Sequence, residues 1–421
     1  MDVRNIRNVY FVGIGGIGMS ALARYFNSIG VRVSGYDRTE TVLTRELTAE
    51  GISVHYTDDI QLADTKANLI VYTPAIPADH QERRYFEQNG YTILKRSDVL
   101  GIITSGTFSI CVAGTHGKTT TSSLIAHILR HSGYGCNAFL GGIAVNYNSN
   151  FWSHERNVCV VEADEYDRSF LKLSPDVAII TAMDPDHLDI YGTAENVEQA
   201  FIDFSARVKD GGLLLSKYGL KRGRELKARN HKTYHLQEAA ADVHAADIRV
   251  NSGSYTFHVV ATEWTLTDVA LNMGGMHNIE NMVAAITVAK HLGIDDEKIR
   301  SAVGSFKGVK RRFEFIVKKD DRVFIDDYAH HPDELRALIT GAKKMFTGKK
   351  CTVIFQPHLF TRTRDFADGF AESLDLADEL VLLPIYPARE LPIAGVTSQM
   401  ILDRMKNTNR QLIEKERLAE W

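Results

Sequence analysis

Twice in this sequence a β-branched apolar run breaks into glycines and restarts at once as a helix. The first case is "VYFVGIGGIGMSALA" over Val9–Ala23, the second "FSICVAGTHGKTTT" over Phe108–Thr121. A strand that gives way to a helix across a short glycine turn leaves unpaired N–H groups at the helix start, where the helix dipole is positive. That combination is a ready anion site. Further apolar runs alternate with helical periodicity, which commits the chain to parallel α/β sheets.

The chain has 421 residues, of which 44% are hydrophobic, enough for two to four domains. Three successive α/β segments are read, 1–107, 108–314 and 315–421. The first holds strands "NVYFVGI", "RVSGY" and "NLIVYT", with a helix over Met19–Ile29. The second holds "FSICVAG", a helix from Thr119 to about His131, then "NVCVVEAD" and "DVAIITAM". The third holds "RVFIDDY", "CTVIFQ" and "ELVLLP" in a parallel arrangement, with a helix over Glu334–Met345. Residues 230–272, with alternating stretches such as "DIRVNSGSYTFHVV", read as a small antiparallel insert in the middle segment.

The net charge of -4, from 49 basic and 53 acidic residues, offers no basic surface for nucleic acid or an anionic membrane. No apolar run reaches the ~20 residues of a membrane span. Cys111, Cys136, Cys159 and Cys351 are scattered and form no C-x-x-C pair, which points to a reduced, cytoplasmic protein. Arg4 and Arg7 ahead of the first apolar run, with Ala21-Leu22-Ala23 behind it, have the outline of a signal peptide. Four glycines between positions 13 and 18 make a poor apolar helix, and the strand-turn-helix reading is preferred.

Gly13, Gly15 and Gly18 form G-x-G-x-x-G, with Gly16 and Ile17 inside it. Asp37 follows 19 residues after Gly18, where a ribose-binding acid is expected. The motif suits NAD or another nucleotide diphosphate equally. In the second unit Gly114, Thr115, His116, Gly117, Lys118, Thr119 and Thr120 end like a phosphate loop, although Val112 stands where the usual first glycine belongs. Gly114 and Gly117 let the N–H groups turn inward, Lys118 brings a point charge, and the Thr119 hydroxyl suits Mg2+. Glu162 and His187, at the ends of the next strands, are candidates to complete a metal shell. Asn278 and Asn281 lie one turn apart on a helix, as caps or as readers of an adenine edge. Arg311 and Arg312 are a surface pair or a phosphate clamp. Asp327, Tyr328 and His330 end another strand, and Arg362 and Arg364 suit a carboxylate.

In that order, "GTHGKTT", "EADE", "DHLD", "HNxxN", "RRFE" and "DDYAHHP" resemble the Mur ligase family over nearly the whole chain. The resemblance implies three domains: a Rossmann-like N-terminal domain for a UDP-sugar, a P-loop central domain for ATP, and a Rossmann-like C-terminal domain for the amino acid. The leading "GIGGIGMSALA" and "DDYAHHPDE" are most similar to members that join L-alanine to UDP-N-acetylmuramate. Gly13, Gly15, Gly16, Ile17, Gly18 and Asp37 would then serve the UDP-sugar. The short loop, with Asn278, Asn281, Arg312 and Asp327, would serve ATP. Thr119, Glu162 and His187 would hold Mg2+, and Tyr328, His330 and Arg362 would serve the amino acid. Lys118, His187, Arg312 and His330 are the implied catalytic set, and either histidine could take the proton from the amine.

Two departures from the family pattern stand out. "PHLFTR" places Leu359 where relatives often carry arginine. The chain also stops in a stretch read as a helix, 416–421, where relatives usually continue, so an incomplete third domain is expected. A monomer or weak homodimer is expected. Three other readings share some of these motifs: a ligase for a recycled muropeptide tripeptide, a nicotinamide dehydrogenase, and a non-catalytic P-loop protein.

Overall fold

Residues 5–185, 188–251, 253–388 and 390–421 are described by the computed structural model of the chain. They pack as two compact units. One holds the chain up to Asp247 with Phe257–Ala270 and Ile279–Val309, and the other holds Ile248–Thr256, Leu271–Asn278 and Lys310–Trp421.

The first unit opens with a five-stranded parallel sheet. Asn8–Val12 lies between Arg32–Tyr36 and Leu69–Tyr72, with Ser53–His55 and Ile93–Lys95 at the edges. Both faces are covered, so the central strand is apolar at every turn of the pleat. Val9 and Phe11 enter one core, while Tyr10 and Val12 enter the other. The chain order reverses between Asn8–Val12 and Leu69–Tyr72, the position at which open α/β sheets leave a crevice at their carboxyl ends. The glycine turn sits there, ahead of the helix Ile17–Ser28.

A ten-stranded sheet follows, with Phe108–Ala113 near its middle. Its neighbours Val158–Glu162 and Val177–Ile180 are both parallel to it. The antiparallel insert expected over 230–272 does not stand apart. Asn230–His235 pairs in parallel with Leu213–Lys217, and Tyr234 and His235 pair in parallel with Val243 and His244. Alternation reports which side chains are buried and is silent on which neighbour a strand takes.

One apolar core joins residues of the opening sheet to those of the long one, from Ile6, Phe11 and Phe26 to Phe139, Phe151 and Leu214. A polar tie reinforces it. Arg24, buried on the helix Ile17–Ser28, donates to Asn150 Oδ1 at 2.6 Å and to Glu50 at 2.7 and 2.9 Å. Asn150 in turn donates to the Ile17 carbonyl at 2.5 Å.

In the second unit, Thr352–Phe355, Glu379–Leu382 and Arg410–Leu412 form a parallel sheet under the helices Pro332–Met345 and Ala367–Leu374. Val323–Asp326, expected beside these strands, instead pairs antiparallel with Glu314–Lys318. Only four residues separate the two partners, Lys318 and Val323, so the local hairpin forms with little loop-closure entropy. The helix expected over 416–421 is a single 3-10 turn at Lys415–Arg417. Its residues are exposed, and a short helix with no apolar stripe to bury has no tertiary support.

The histidine His127 lies buried on the helix Lys118–His131. Its Nε2 meets the Ala302 carbonyl at 2.9 Å, and its Nδ1 meets the Tyr147 hydroxyl at 2.8 Å. The neutral ring satisfies both, donating to the carbonyl and accepting from the tyrosine. Burial pushes its pKa down to about 4. The unfolded chain, near 6.5, takes up the proton first, so this residue removes stability as pH falls from about 6.5 towards 4. Buried Glu82 accepts from the Tyr10 hydroxyl at 2.5 Å, and burial pushes its carboxyl up to about 7. Its sign is opposite, with stability lost as pH rises from about 4.5 to 7. Comparing variants separates the two effects. His127→Gln should lose about 2 kcal/mol less than the parent between pH 7 and pH 5, read from urea denaturation. Parallel pH profiles would remove His127 as the source.

Candidate active site

Parallel register brings three strand ends to one place. Val112 is level with Glu162, and Ala113 is level with Ile180. The loop that leaves Ala113 is therefore flanked by Glu162 on one side and by Thr181 on the other. Thr181 Oγ1 donates to the Ala113 carbonyl at 3.1 Å and also to the His116 carbonyl. The Asp184 amide donates to Thr115 Oγ1 at 3.2 Å.

Gly114 has φ +137° and Gly117 has φ +81°, both in the region that L side chains avoid. A Cβ on Gly117 would lie 2.9 Å from Asn281 Oδ1, so Asn281 packs against the loop itself. Gly117 caps the helix that begins at Lys118, with Thr119 and buried Thr120 in its first turn, while His116 stands exposed on the loop. The short loop thus turns sharply without a glycine at position 112, because Gly114 and Gly117 take positive φ and Thr181 holds the turn closed.

Lys118 Nζ donates to the Gly114 carbonyl at 2.7 Å and to Glu165 at 2.8 Å. Thr119 Oγ1 donates to Glu162 Oε1 at 3.1 Å, and the Gly141 amide donates to Glu162 Oε2 at 3.0 Å. Loss of water around it on burial raises the Glu162 carboxyl above its usual range, against the pull of Lys118 and Thr119. Two hard oxygens 3.1 Å apart match the edge of a magnesium octahedron, about 3.0 Å for bonds near 2.1 Å. The pair therefore fits Mg2+, which takes its remaining ligands from phosphates and water. His187, the third expected ligand, lies outside the described residues. Among the described residues no group of three or more His, Cys, Asp and Glu side chains converges as a metal site.

The first glycine turn faces the same region. Gly13, with φ +91°, and Ile14 both donate to the Tyr36 carbonyl, at 2.8 and 2.9 Å. The Gly15 amide donates to Asp37 Oδ2 at 2.7 Å, so Asp37 closes on the turn in this structure. Gly16 is the N-cap of the helix, and Ile17 and Gly18 begin it. A cavity of about 270 Å³ opens from Gly16, Ile17 and Gly18 to Gly141, Glu162 and Asp164. Arg96 lines it too, pressed against Gly18 and 3.6 Å from Asp164. Nothing in "LKRSD" marks Arg96, and its place is set by the fold. Gly141 and Thr181 also escaped notice, because a backbone amide and a strand-end hydroxyl carry no motif.

The other candidates belong to the second unit. Arg311 and Arg312 lie over the Tyr328 ring, at 4.8 and 5.5 Å from its centre. Asp327 accepts from the Phe313 and Ala329 amides, each at 2.7 Å, and burial raises its carboxyl. His330 Nδ1 meets the Tyr328 carbonyl at 2.8 Å, and its ring packs on the tyrosine. Arg311, Arg312, Asp327, Tyr328 and His330 form one cluster. Asn278 is buried within the first turn of the helix Met276–His291, and its Nδ2 donates to the Gly274 carbonyl at 2.6 Å. Arg362 and Arg364 lie on the helix Phe360–Asp365, whose N-cap Leu359 has φ +72°. Arg364 pairs with Asp365 at 2.7 Å, and Arg362 is half-buried.

Comparisons with known proteins match this arrangement along its length. Residues 8–107 match the catalytic domain of the Mur ligase family, 112–289 the Mur ligase middle domain, and 311–420 the glutamate ligase domain of Mur ligases. The chain is 49% identical over 423 residues to UDP-N-acetylmuramate–L-alanine ligase of Flavobacterium johnsoniae, covering 99% of this chain and 92% of that one. The corresponding protein of Porphyromonas gingivalis is also 49% identical, over 99% of this chain and 93% of its own. The crystal structure of UDP-N-acetylmuramate–alanine ligase from Thermotoga maritima superposes with a TM-score of 0.83 at 30% identity, covering 99% of this chain and 92% of that one.

Gly114 offers a direct test of the loop. A Cβ there would lie 2.0 Å from Thr181 Oγ1, an atom already committed to two loop carbonyls. Gly114→Ala should destabilise the protein by about 2–4 kcal/mol through this clash and the unfavourable φ. An unchanged urea midpoint would mean the loop is not held as described.

Proposed function

Because the chain belongs to the Mur ligase family, we propose that it joins L-alanine to the lactyl carboxylate of UDP-N-acetylmuramate with cleavage of ATP. The observation that carries the reading is near-half identity, end to end, with proteins of that activity. The cavity between the two glycine turns supports it, because it opens from one anion site to the residues beside the other. With ATP and a UDP-sugar as substrates, the reaction would belong in the cytoplasm. Among the described residues no helix is long and apolar enough to cross a membrane.

A carboxylate is a poor electrophile. Transfer of the γ-phosphoryl group of ATP converts it to an acyl phosphate, which the alanine amine attacks with release of phosphate. The loop amides and Lys118 stabilise charge on the transferring phosphoryl group. Thr119 and Glu162 would hold Mg2+, which neutralises phosphate charge when bound. Arg96 and the turn Gly13–Gly18 would hold the UDP-sugar, with the lactyl carboxylate directed along the cavity towards Lys118. Asn281, against Gly117, would keep the loop in register for ATP. Tyr328, His330 and Arg362 would take the amino acid, and Arg312 and Asp327 the phosphates.

The deciding assay measures phosphate release with UDP-N-acetylmuramate and ATP. L-alanine should support turnover. Turnover only with the L-Ala-γ-D-Glu-meso-diaminopimelate tripeptide would transfer the chain to the recycling reaction. Arg96→Ala should raise KM for the UDP-sugar at least ~10-fold with a smaller change in kcat, as for loss of one charge-assisted contact. An unchanged KM would remove Arg96 from the substrate site. Gly141→Ala would push a Cβ to 2.3 Å from the Glu162 carboxylate. That variant should need several-fold more Mg2+ for half-maximal rate, and an identical magnesium titration would reject Glu162 as a ligand.

A further inference from the structure

One buried carboxylate beside the phosphate loop has no part in this scheme. Glu165 is 1% exposed, and both of its oxygens lie 2.8 Å from Lys118 Nζ. We propose that Glu165 is a positioning residue for phosphoryl transfer, one that fixes the direction in which Lys118 presents its charge. The proposal rests on the ligase reading.

The argument is one of valence. A lysine ammonium has three N–H donors in a fixed tetrahedral array. One is taken by the Gly114 carbonyl at 2.7 Å and another by Glu165. Both acceptors are protein atoms on the loop and the neighbouring strand end, so the third donor has a single direction left to it. A four-carbon side chain that would otherwise sample many rotamers is thereby ordered before the nucleotide arrives. Lys118 cannot leave Glu165 for the phosphate without stranding a buried carboxylate next to a polyanion. It therefore bridges the two.

The carboxylate is itself held on a rigid base. The Glu165 carbonyl accepts from the Tyr191 hydroxyl at 2.6 Å and from the Arg168 amide at 3.0 Å. Asp167 and Arg168 both adopt left-handed φ, at 52° and 55°, which turns the chain back immediately after Glu165. Phe170 anchors the end of the turn, fully buried and stacked on Phe204 at 5.0 Å. Two strained non-glycine residues in a row persist only where the surroundings over-determine them.

The experiment is a double-mutant cycle on the full chain, with turnover, ATP-analogue binding and melting measured for each variant. Glu165→Ala should lower kcat ~10–100-fold and change KM for ATP by less than ~3-fold, since orientation and not affinity is lost. Glu165→Gln, which keeps an oxygen acceptor, should recover part of that loss, whereas Glu165→Asp, one methylene short, should not. In the Lys118→Ala background, Glu165→Ala should lower kcat no further, and the double variant should melt higher than Lys118→Ala alone. Multiplicative losses in kcat would overturn the proposal, as would equal activity of Glu165→Ala and the parent. A parent enzyme inactive with L-alanine would instead refute the ligase reading, while the melting comparison would still test the Lys118–Glu165 pair.

Discussion

The level pairing of three parallel strands governs this molecule's chemistry. Phe108–Ala113 ends beside Val158–Glu162 and Val177–Ile180, so everything that follows their last residues is delivered to one spot. The ammonium of Lys118, the carboxylates of Glu162 and Glu165 and the clasp of Thr181 all depend on it. A one-residue slip in either pairing would turn these side chains to the opposite face. Hydrogen-bonded register, set by a core buried on both faces, thus decides where the charges stand.

A second constraint ties the opening sheet to the long one. Arg24 and Asn150 bond through buried side chains, and Tyr25 packs on Phe139 and Phe151 with ring centres 5.3 and 6.2 Å apart. Both links originate on the helix that starts at the first glycine turn. That helix is therefore fixed relative to the strands carrying Gly141 and Glu162, and the cavity between them is a built feature. Residues on both sides of position 107 share one continuous core.

Charge is arranged economically around the phosphate loop. Lys118 faces Glu165 while Thr119 faces Glu162, so each carboxylate has a donor from successive residues of one helix turn. Neither acid stands beside the loop unpaired. In the proposed reaction these pairs would leave one lysine donor for phosphate and the Glu162 edge for metal.

The local devices were legible in the sequence because each is a short stretch with its own physics. Glycines at 13, 114 and 117 mark backbone that L side chains avoid, and all three have positive φ. The alternation of strand and helix gave the layered α/β class, and the ordered motifs gave the family. The recruits from distant positions were not legible. Arg96, Gly141 and Thr181 reach the site only because the sheet order brings their elements there, and Asn281 touches Gly117 across more than a hundred residues. The same holds for the strands over 230–244 and for Val323–Asp326, whose partners were misjudged. Burial pattern and backbone conformation are written along the chain, residue by residue. Neighbour choice is a property of two segments at once, decided by which pairing buries the most apolar surface without leaving a polar group unsatisfied.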